Sequence, residues 1–269
     1  MLTTPAAVDW DQQARLATFA ALRARDDLAR DYVLKGGLVL ERVFGSPRAS
    51  DDVDLNHVEA HPNRVCEAHT RKLEDVCRRL DEALAETAGE FGLAGAGLRV
   101  LRWSELLPTV FAEVAYRAEP EGGPVEGAVE LQVTLCEAVC HTTLARIGRV
   151  PVLAAALDDV VADKLKVLLQ QARRHQVRHS DVYDLWFALV EAPFVPDPLA
   201  VREALLTKLA SWPGYLPLRR DAFLEEAVKT FAEQGYRALR AEQPTLPFAP
   251  FDAVWAEVEA FLDRMDLDS

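Results

Sequence analysis

Apolar residues recur at helical spacing over residues 9–29, with Trp10, Leu16, Phe19, Leu22 and Leu28 near one side, and this predicts an opening helix. The short apolar run Tyr32-Val33-Leu34 then stops at Lys35, Gly36 and Gly37, after which LVLERVFG takes up a helical period that ends at Gly45. A strand, a glycine turn and a helix follow from that pattern. From Ser50 to Asn56 the period becomes two, S-D-D-V-D-L-N, so Asp52 and Asp54 fall on one face of a strand while Val53 and Leu55 fall on the other. Residues 63–91 carry a long, heavily charged helix pattern. Two β-like runs, Leu98–Trp103 and Val110–Tyr116, precede a Pro/Gly-rich turn, EPEGGPVEG, and a third run, AVELQVTLCEAV, a combination that predicts a hairpin.

After Pro151 the pattern changes. LAAALDDVVADKLKVLLQQARR is helical in propensity and period, DVYDLWFALV continues that way, and further helices are predicted near 197–210, 220–234 and 250–265. Proline clusters at 193–198, 213–217 and 244–250 separate them. The chain therefore reads as an α+β protein in which residues 1–150 form a mixed β-sheet with flanking helices and residues 151–269 form a C-terminal helical bundle.

Composition narrows what such a chain can do. Half of its 269 residues are apolar, enough for a sizeable core. No apolar run approaches the roughly 18 to 20 residues that cross a bilayer, and Met1–Asp11 lacks the pattern of a secretory signal, so a soluble cytoplasmic protein with no membrane partner is expected. Four unevenly placed cysteines, Cys66, Cys77, Cys136 and Cys140, predict reduced thiols rather than a disulfide framework. A formal net charge of −13 opposes non-specific binding to nucleic acid, so any RNA contact must be local; the same surplus suits a basic protein partner. The basic stretch Arg173–His179 and the scattered Arg219, Arg220, Arg237 and Arg240 read either as such a local contact or as solvated helix faces.

The span 33–55, VLKGGLVLERVFGSPRASDDVDL, holds two chemical devices. Gly36 and Gly37, between strand and helix, let backbone N–H groups approach phosphate oxygens. Asp52 and Asp54, one residue apart, can present two carboxylates to a hard divalent cation beside a triphosphate. A glycine pair is often only a turn and a D-x-D only a solvated strand face, but here they occur together, with Arg48 and Ser50 immediately before the acids.

This G-G followed by R-x-S-x-D-x-D resembles the motif of the AbiEii-type (MenT-like) nucleotidyltransferase toxins, within the polymerase-β-like superfamily. Later motifs of that family also have counterparts in order: Asp163-Lys164 in VVADKLKVLL, then Arg178, Asp181 and Asp184 in VRHSDVYDLW. The similarity spans roughly residues 30–190. It implies a nucleotidyltransferase-like sheet domain and transfer of a nucleotide from a nucleoside triphosphate with Mg2+ or Mn2+ as cofactor. It also implies a toxin of a toxin–antitoxin or phage-defence pair, with an antitoxin protein as partner and RNA, the tRNA 3′ end first, as acceptor. By the same resemblance Asp52 and Asp54 are metal ligands, and Lys164 donates to the triphosphate. Lys35, Gly36, Gly37, Arg48 and Ser50 hold the nucleotide, and Asp181 fixes Lys164 or the acceptor. The bland readings are a surface position for Lys164 and surface salt bridges for Asp184; Tyr183 and Trp186 are expected in the core.

One departure stands out. The superfamily places a third carboxylate on a later strand, and in VELQVTLCE the expected position holds Gln132. Glu130, two residues earlier and on the same side, is the available substitute as a metal ligand; without it the second metal site is weak or completed by the acceptor. Cys136, Cys140 and His141 offer at most three zinc ligands at an awkward spacing and read better as buried thiols. Two further readings stay open: a nucleotidyltransferase acting on a protein or small-molecule hydroxyl, and a degenerate nucleotide-binding regulator, which Gln132 keeps in play.

Overall fold

The computed structural model describes residues 8–212 and 214–268. The start of the stretch read for a secretory signal, Met1–Ala7, and the first residue of the proline cluster 213–217 lie outside the described residues. In chain order the elements are α1 (Trp10–Arg23), α2 (Asp26–Asp31), β1 (Tyr32–Lys35), α3 (Gly37–Arg42), β2 (Val53–His57), α4 (Glu67–Thr87), β3 (Leu93–Trp103), β4 (Thr109–Ala118), β5 (Val125–Thr134), β6 (Thr142–Ile147) and β7 (Val150–Ala155). Helices α5 (Leu157–Arg174), α6 (Asp181–Trp186), α7 (Pro198–Ala210), α8 (Asp221–Leu224), α9 (Glu226–Glu242) and α10 (Phe251–Arg264) complete the chain. A single 3-10 turn, Ala88–Phe91, extends α4, and a π-helical turn, Phe187–Glu191, extends α6.

The chain divides into two compact units, each built from three stretches. The first comprises Met1–Leu34, Asp51–Cys136 and Leu144–Leu153; the second comprises Lys35–Ser50, Glu137–Thr143 and Ala154–Ser269.

The first unit is organised by a seven-stranded mixed sheet of order β3-β4-β5-β2-β1-β7-β6. Strands β3, β4 and β5 are antiparallel neighbours, and β2 lies parallel to β5 with Val53 opposite Leu131 and Asp54 opposite Gln132. One face is apolar: Val53, Leu55, Val110, Ala112, Val114, Val129, Leu131 and Val133 are at most 2% exposed. Helices α1 and α4 pack on each other and on this part of the sheet. Their buried stripes, Ala14, Ala17, Phe19, Ala21 and Leu22 on α1 and Leu73, Val76, Leu80, Ala83 and Leu84 on α4, follow the 3.6-residue period. The opposite sheet face is polar, as expected where alternate side chains point away from the core.

In the second unit α5 packs against α6, α7 and α9, and α6 against α9 and α10. Val160, Val161, Leu165, Leu168 and Leu169 of α5 are buried, which makes it the central helix. Tyr183 is fully buried and Trp186 nearly so, matching the core role expected for them.

Two local expectations need correction. Leu153-Ala154-Ala155, read as the start of a long helix, belongs to β7, and the helix begins only at Leu157. Alanine and leucine favour helix weakly, and pairing in the sheet overrides that preference. The strand expected over 50–56 begins at Val53, so Asp52 precedes β2 instead of lying within it.

Candidate active site

The two compact units hold separate parts of the expected constellation. In the first unit, Asp52 is exposed and Asp54 half-buried, while Val53 and Leu55 are sealed in the core at 0% and 1% exposure. Asp54 faces Gln132 across the parallel β2–β5 pair. The Gln132 amide Nε2 donates to Thr134 Oγ1 at 3.2 Å, and Thr134 Oγ1 shares a 3.1 Å hydrogen bond with Thr109 Oγ1. Glu130 is exposed, two residues before Gln132 on β5, and its antiparallel partner is Glu113. Thus the residue opposite Asp54 is an amide, and Glu130 sits one alternation nearer the start of β5.

These oxygens suit a hard cation in type. Among the described residues, no group of three or more His, Cys, Asp or Glu side chains is arranged to hold a metal ion. A magnesium ion, however, is commonly bound by one or two carboxylates together with substrate phosphates rather than by a full protein cage. Asp52 and Asp54 match that mode in number and type of ligand.

In the second unit the glycine turn and the R-x-S motif interlock. Gly36 has φ +78°, a left-handed conformation open to glycine. At Gly37 a β-carbon would come within 2.3 Å of Arg48 Nη2 and 2.7 Å of Ser50 Oγ. The space that any other side chain would fill is therefore taken by the two residues expected to hold a nucleotide. Ser50 is further tied down by its N–H, which donates to Glu41 Oε2 at 2.8 Å.

Arg48 in turn makes a fork with Asp184: Nε donates to Oδ1 at 2.7 Å and Nη2 to Oδ2 at 3.0 Å, while Nη1 reaches the Ala49 carbonyl at 3.0 Å. Lys164 Nζ lies 2.6 Å from Asp184 Oδ2 and 2.9 Å from Asp181 Oδ1. Asp181 Oδ2 accepts from Gln171 Nε2 at 3.3 Å and pairs with Arg178 Nε at 3.1 Å. Arg48, Lys164, Asp181 and Asp184 form one buried charged network, with the exposed Arg178 at its edge. Burial disfavours the charged form of Asp181, but Lys164, Arg178 and Arg48 outweigh it and hold the carboxyl below its usual range. Burial likewise lowers the Lys164 ammonium, yet Asp181 and Asp184 raise it above its ordinary value, so the pair is ionised near neutral pH.

Asp184 shows what the sequence alone concealed. A surface role was one reading of it, whereas its side chain is 0% exposed and joins Arg48 to Lys164. The i, i+3 spacing of Asp181 and Asp184 on a helix signalled a shared face. It did not signal which cations that face would meet.

Lys35 has a different setting. It is ion-paired with Glu137, which also receives Lys166 Nζ at 3.3 Å. Lys166 pairs with Asp163 at 2.9 Å, and Lys208 lies 3.2 Å from Asp163 and 2.9 Å from Asp159. Three lysines and three acids thus form a second network, in which Asp159 Oδ1 also accepts the Cys140 N–H at 2.7 Å. Asp163, paired in sequence with Lys164, belongs here and not to the Lys164 network. All four cysteines are free thiols.

A seven-stranded mixed sheet with flanking helices makes this an α+β fold. The family profile described as nucleotidyl transferase AbiEii toxin, type IV toxin–antitoxin system, matches residues 20–262, and the chain belongs to that family. It is accordingly a nucleotidyltransferase, with a nucleoside triphosphate as substrate and a cognate antitoxin as counterpart. No curated protein sequence matches the chain. Among solved structures, it is similar to JHP933 from Helicobacter pylori at 14% identity and a TM-score of 0.45, over 89% of this chain and 97% of that one. It is also similar to an antigenic nucleotidyltransferase-like protein from Paracoccidioides brasiliensis at 19% identity and a TM-score of 0.42, over 81% of this chain and 93% of that one. No helix among the described residues is long and apolar enough to cross a membrane.

Proposed function

We propose that this nucleotidyltransferase is a magnesium-dependent toxin that transfers a nucleoside monophosphate to the 3′ end of tRNA. The observation that carries the reading is the carboxylate pair Asp52 and Asp54 at the start of β2, in a chain whose second unit holds Lys164 ionised between Asp181 and Asp184. In the transfer, the acceptor's 3′-oxygen forms a bond to the α-phosphorus as the bond to the pyrophosphate oxygen breaks. Asp52 and Asp54 would hold the divalent cation, which when bound neutralises phosphate charge and aligns the attacking and departing oxygens. Two of the three Lys164 donors are held by Asp181 and Asp184, and the third is assigned to the triphosphate, where it steadies the charge that builds on pyrophosphate. Asp181 positions that ammonium. Arg48 and Ser50 shape the nucleotide's phosphate site from the turn that Gly37 leaves open.

The test is incubation of the purified protein with magnesium, each labelled nucleoside triphosphate in turn, and total tRNA. Label in tRNA, lost in Asp52→Ala, Asp54→Ala and Lys164→Ala and abolished by chelation, is the expected result. Label in protein or in a small molecule would replace the acceptor, and wild-type labelling by all three variants would overturn the site. In cells, growth arrest on expression and its relief by a co-expressed cognate antitoxin should track the same three residues.

A further inference from the structure

The polar face of the sheet carries a feature that the transfer chemistry does not use. Following the register outward from Asp54, the neighbours are Gln132 on β5, Phe111 on β4 and Arg102 on β3, one from each strand in a single row. Register partners share a face and adjacent strands lie about 4.8 Å apart, so Phe111 stands about 10 Å from Asp54. The Arg102 guanidinium carbon sits 3.6 Å from the Phe111 ring centroid. Arg102 is exposed and Phe111 half-buried, so the guanidinium lies on the ring with its outer side toward solvent. The next row holds Glu130, Glu113 and Arg99, and Arg99 is ion-paired with Glu113. Beyond it, on the same face, opens a trough of about 620 Å3 whose floor includes Gly97, Ala115 and Ala128. Two arginines, Arg99 and Arg117, and two glutamates, Glu113 and Glu126, line it, so its formal charge is zero on a chain of net charge −13.

We propose that this row is the acceptor platform: the terminal base of a single-stranded RNA stacks on the Arg102 guanidinium, and the preceding nucleotides run over the small-residue trough. The inference rests on the nucleotidyltransferase reading of Asp54, which sets the origin of the row. Guanidinium planes and aromatic rings are the surfaces on which unpaired bases stack, and such stacking tolerates any base. Phe111 acts as a positioning residue that holds the guanidinium over its ring. A strand longer than one nucleotide accounts for the trough, which the incoming mononucleotide does not need, and the locally neutral charge removes the repulsion that the rest of this acidic chain imposes on phosphate.

The experiment is equilibrium binding of a fluorescently labelled single-stranded RNA, and separately of a non-hydrolysable nucleoside triphosphate analogue with magnesium, to wild-type protein and variants. Arg102→Gln should weaken RNA binding roughly 5- to 100-fold, the range for loss of one stacked base. Arg102→Lys keeps the charge but loses the plane and should be nearly as weak. Phe111→Leu should weaken RNA binding and Phe111→Tyr restore it; the exposed Arg102 variants keep the test valid if Phe111→Leu does not fold. Binding of the triphosphate analogue should be unchanged throughout. Full recovery by Arg102→Lys, equal RNA binding by all variants, or a loss confined to the triphosphate would each overturn the platform. Stack-dependent RNA binding in a protein that transfers no nucleotide would leave the platform standing and remove the transfer reading. Transfer by a protein indifferent to Arg102 would do the reverse.

Discussion

Asp52 and Asp184 are both carboxylates, but their surroundings separate chemistry from architecture. Asp52 is exposed, and replacing it with Asn removes the proposed metal ligand while leaving packing intact; stability should change by no more than about 0.5 kcal/mol. Asp184 is fully buried between Arg48 and Lys164, and Asp184→Asn leaves two buried cations short of a counter-charge. Breaking a buried pair from one side typically destabilises by about 3 to 5 kcal/mol. Urea unfolding followed alongside nucleotide transfer should therefore find both variants inactive and only Asp184→Asn unstable. Gly37→Ala tests the same network from the turn. Its methyl group would collide with Arg48 Nη2 and Ser50 Oγ, so Arg48 must leave its fork with Asp184, at a cost of about 1 to 3 kcal/mol. Unchanged stability in Gly37→Ala would mean that the turn and the Arg48 network are not coupled.

At the scale of elements, register decides what each carboxylate can reach. Gln132 faces Asp54 across β2–β5, so Gln132→Glu sets a second acid beside the first. Without a cation the two like charges repel, and with one they share it. The expected outcome is half-maximal transfer at a lower magnesium concentration and a larger rise in Tm on adding magnesium than in wild type, since a ligand stabilises according to its affinity for the folded state. Glu130→Gln should leave both measurements close to wild type if Glu130 is no ligand; a loss of metal response there would identify it as the third acid. Period-two alternation was enough to foresee β2 and the inward Val53 and Leu55, and the EPEGGPVEG turn to foresee the β4–β5 hairpin. Strands β6 and β7 were not legible. Leu153-Ala154-Ala155 has helix-forming composition, and only pairing in the sheet makes it a strand. Arg48 and Ser50 stand out by their place just before the acids, and Lys164 and Asp181 only through the resemblance to the AbiEii family; neither route gives the bond between Arg48 and Asp184. Those residues are 136 positions apart, and local pattern carries no information about such a meeting.

For the molecule as a whole, buried charge sets the response to pH and surface charge the response to salt. Asp163 is held at about 2 by Lys166, Lys208 and Lys35 against the effect of burial, and Glu137 and Asp181 are also held below their ordinary values. Folded values below unfolded ones stabilise above the unfolded pKa, about 4, so urea titrations should show stability falling as pH drops from about 4 toward 2. Asp159, raised by burial, works in the opposite direction, so the three depressed acids should dominate. Lys164 and Lys208 are raised by their acids against the effect of burial; their contribution is present below the ordinary lysine value and is lost only as pH rises through their higher folded values. A gain in stability between pH 4 and pH 2 would show that these networks are not ionised. Salt reports on the surface instead. A chain of net charge −13 cannot bind RNA by bulk attraction, and the Phe111 row with its trough carries Arg99, Arg102 and Arg117, two of them paired with Glu113 and Glu119. Single-stranded nucleic acid loses affinity with a logarithmic salt slope of about −0.7 per neutralised phosphate, so three arginines permit a slope no steeper than about −2. A slope near −5 would require a basic surface elsewhere, with Arg173–His179 the first place to look, whereas a shallow slope that survives Arg99→Gln and flattens in Arg102→Gln would tie the RNA to the Phe111 row.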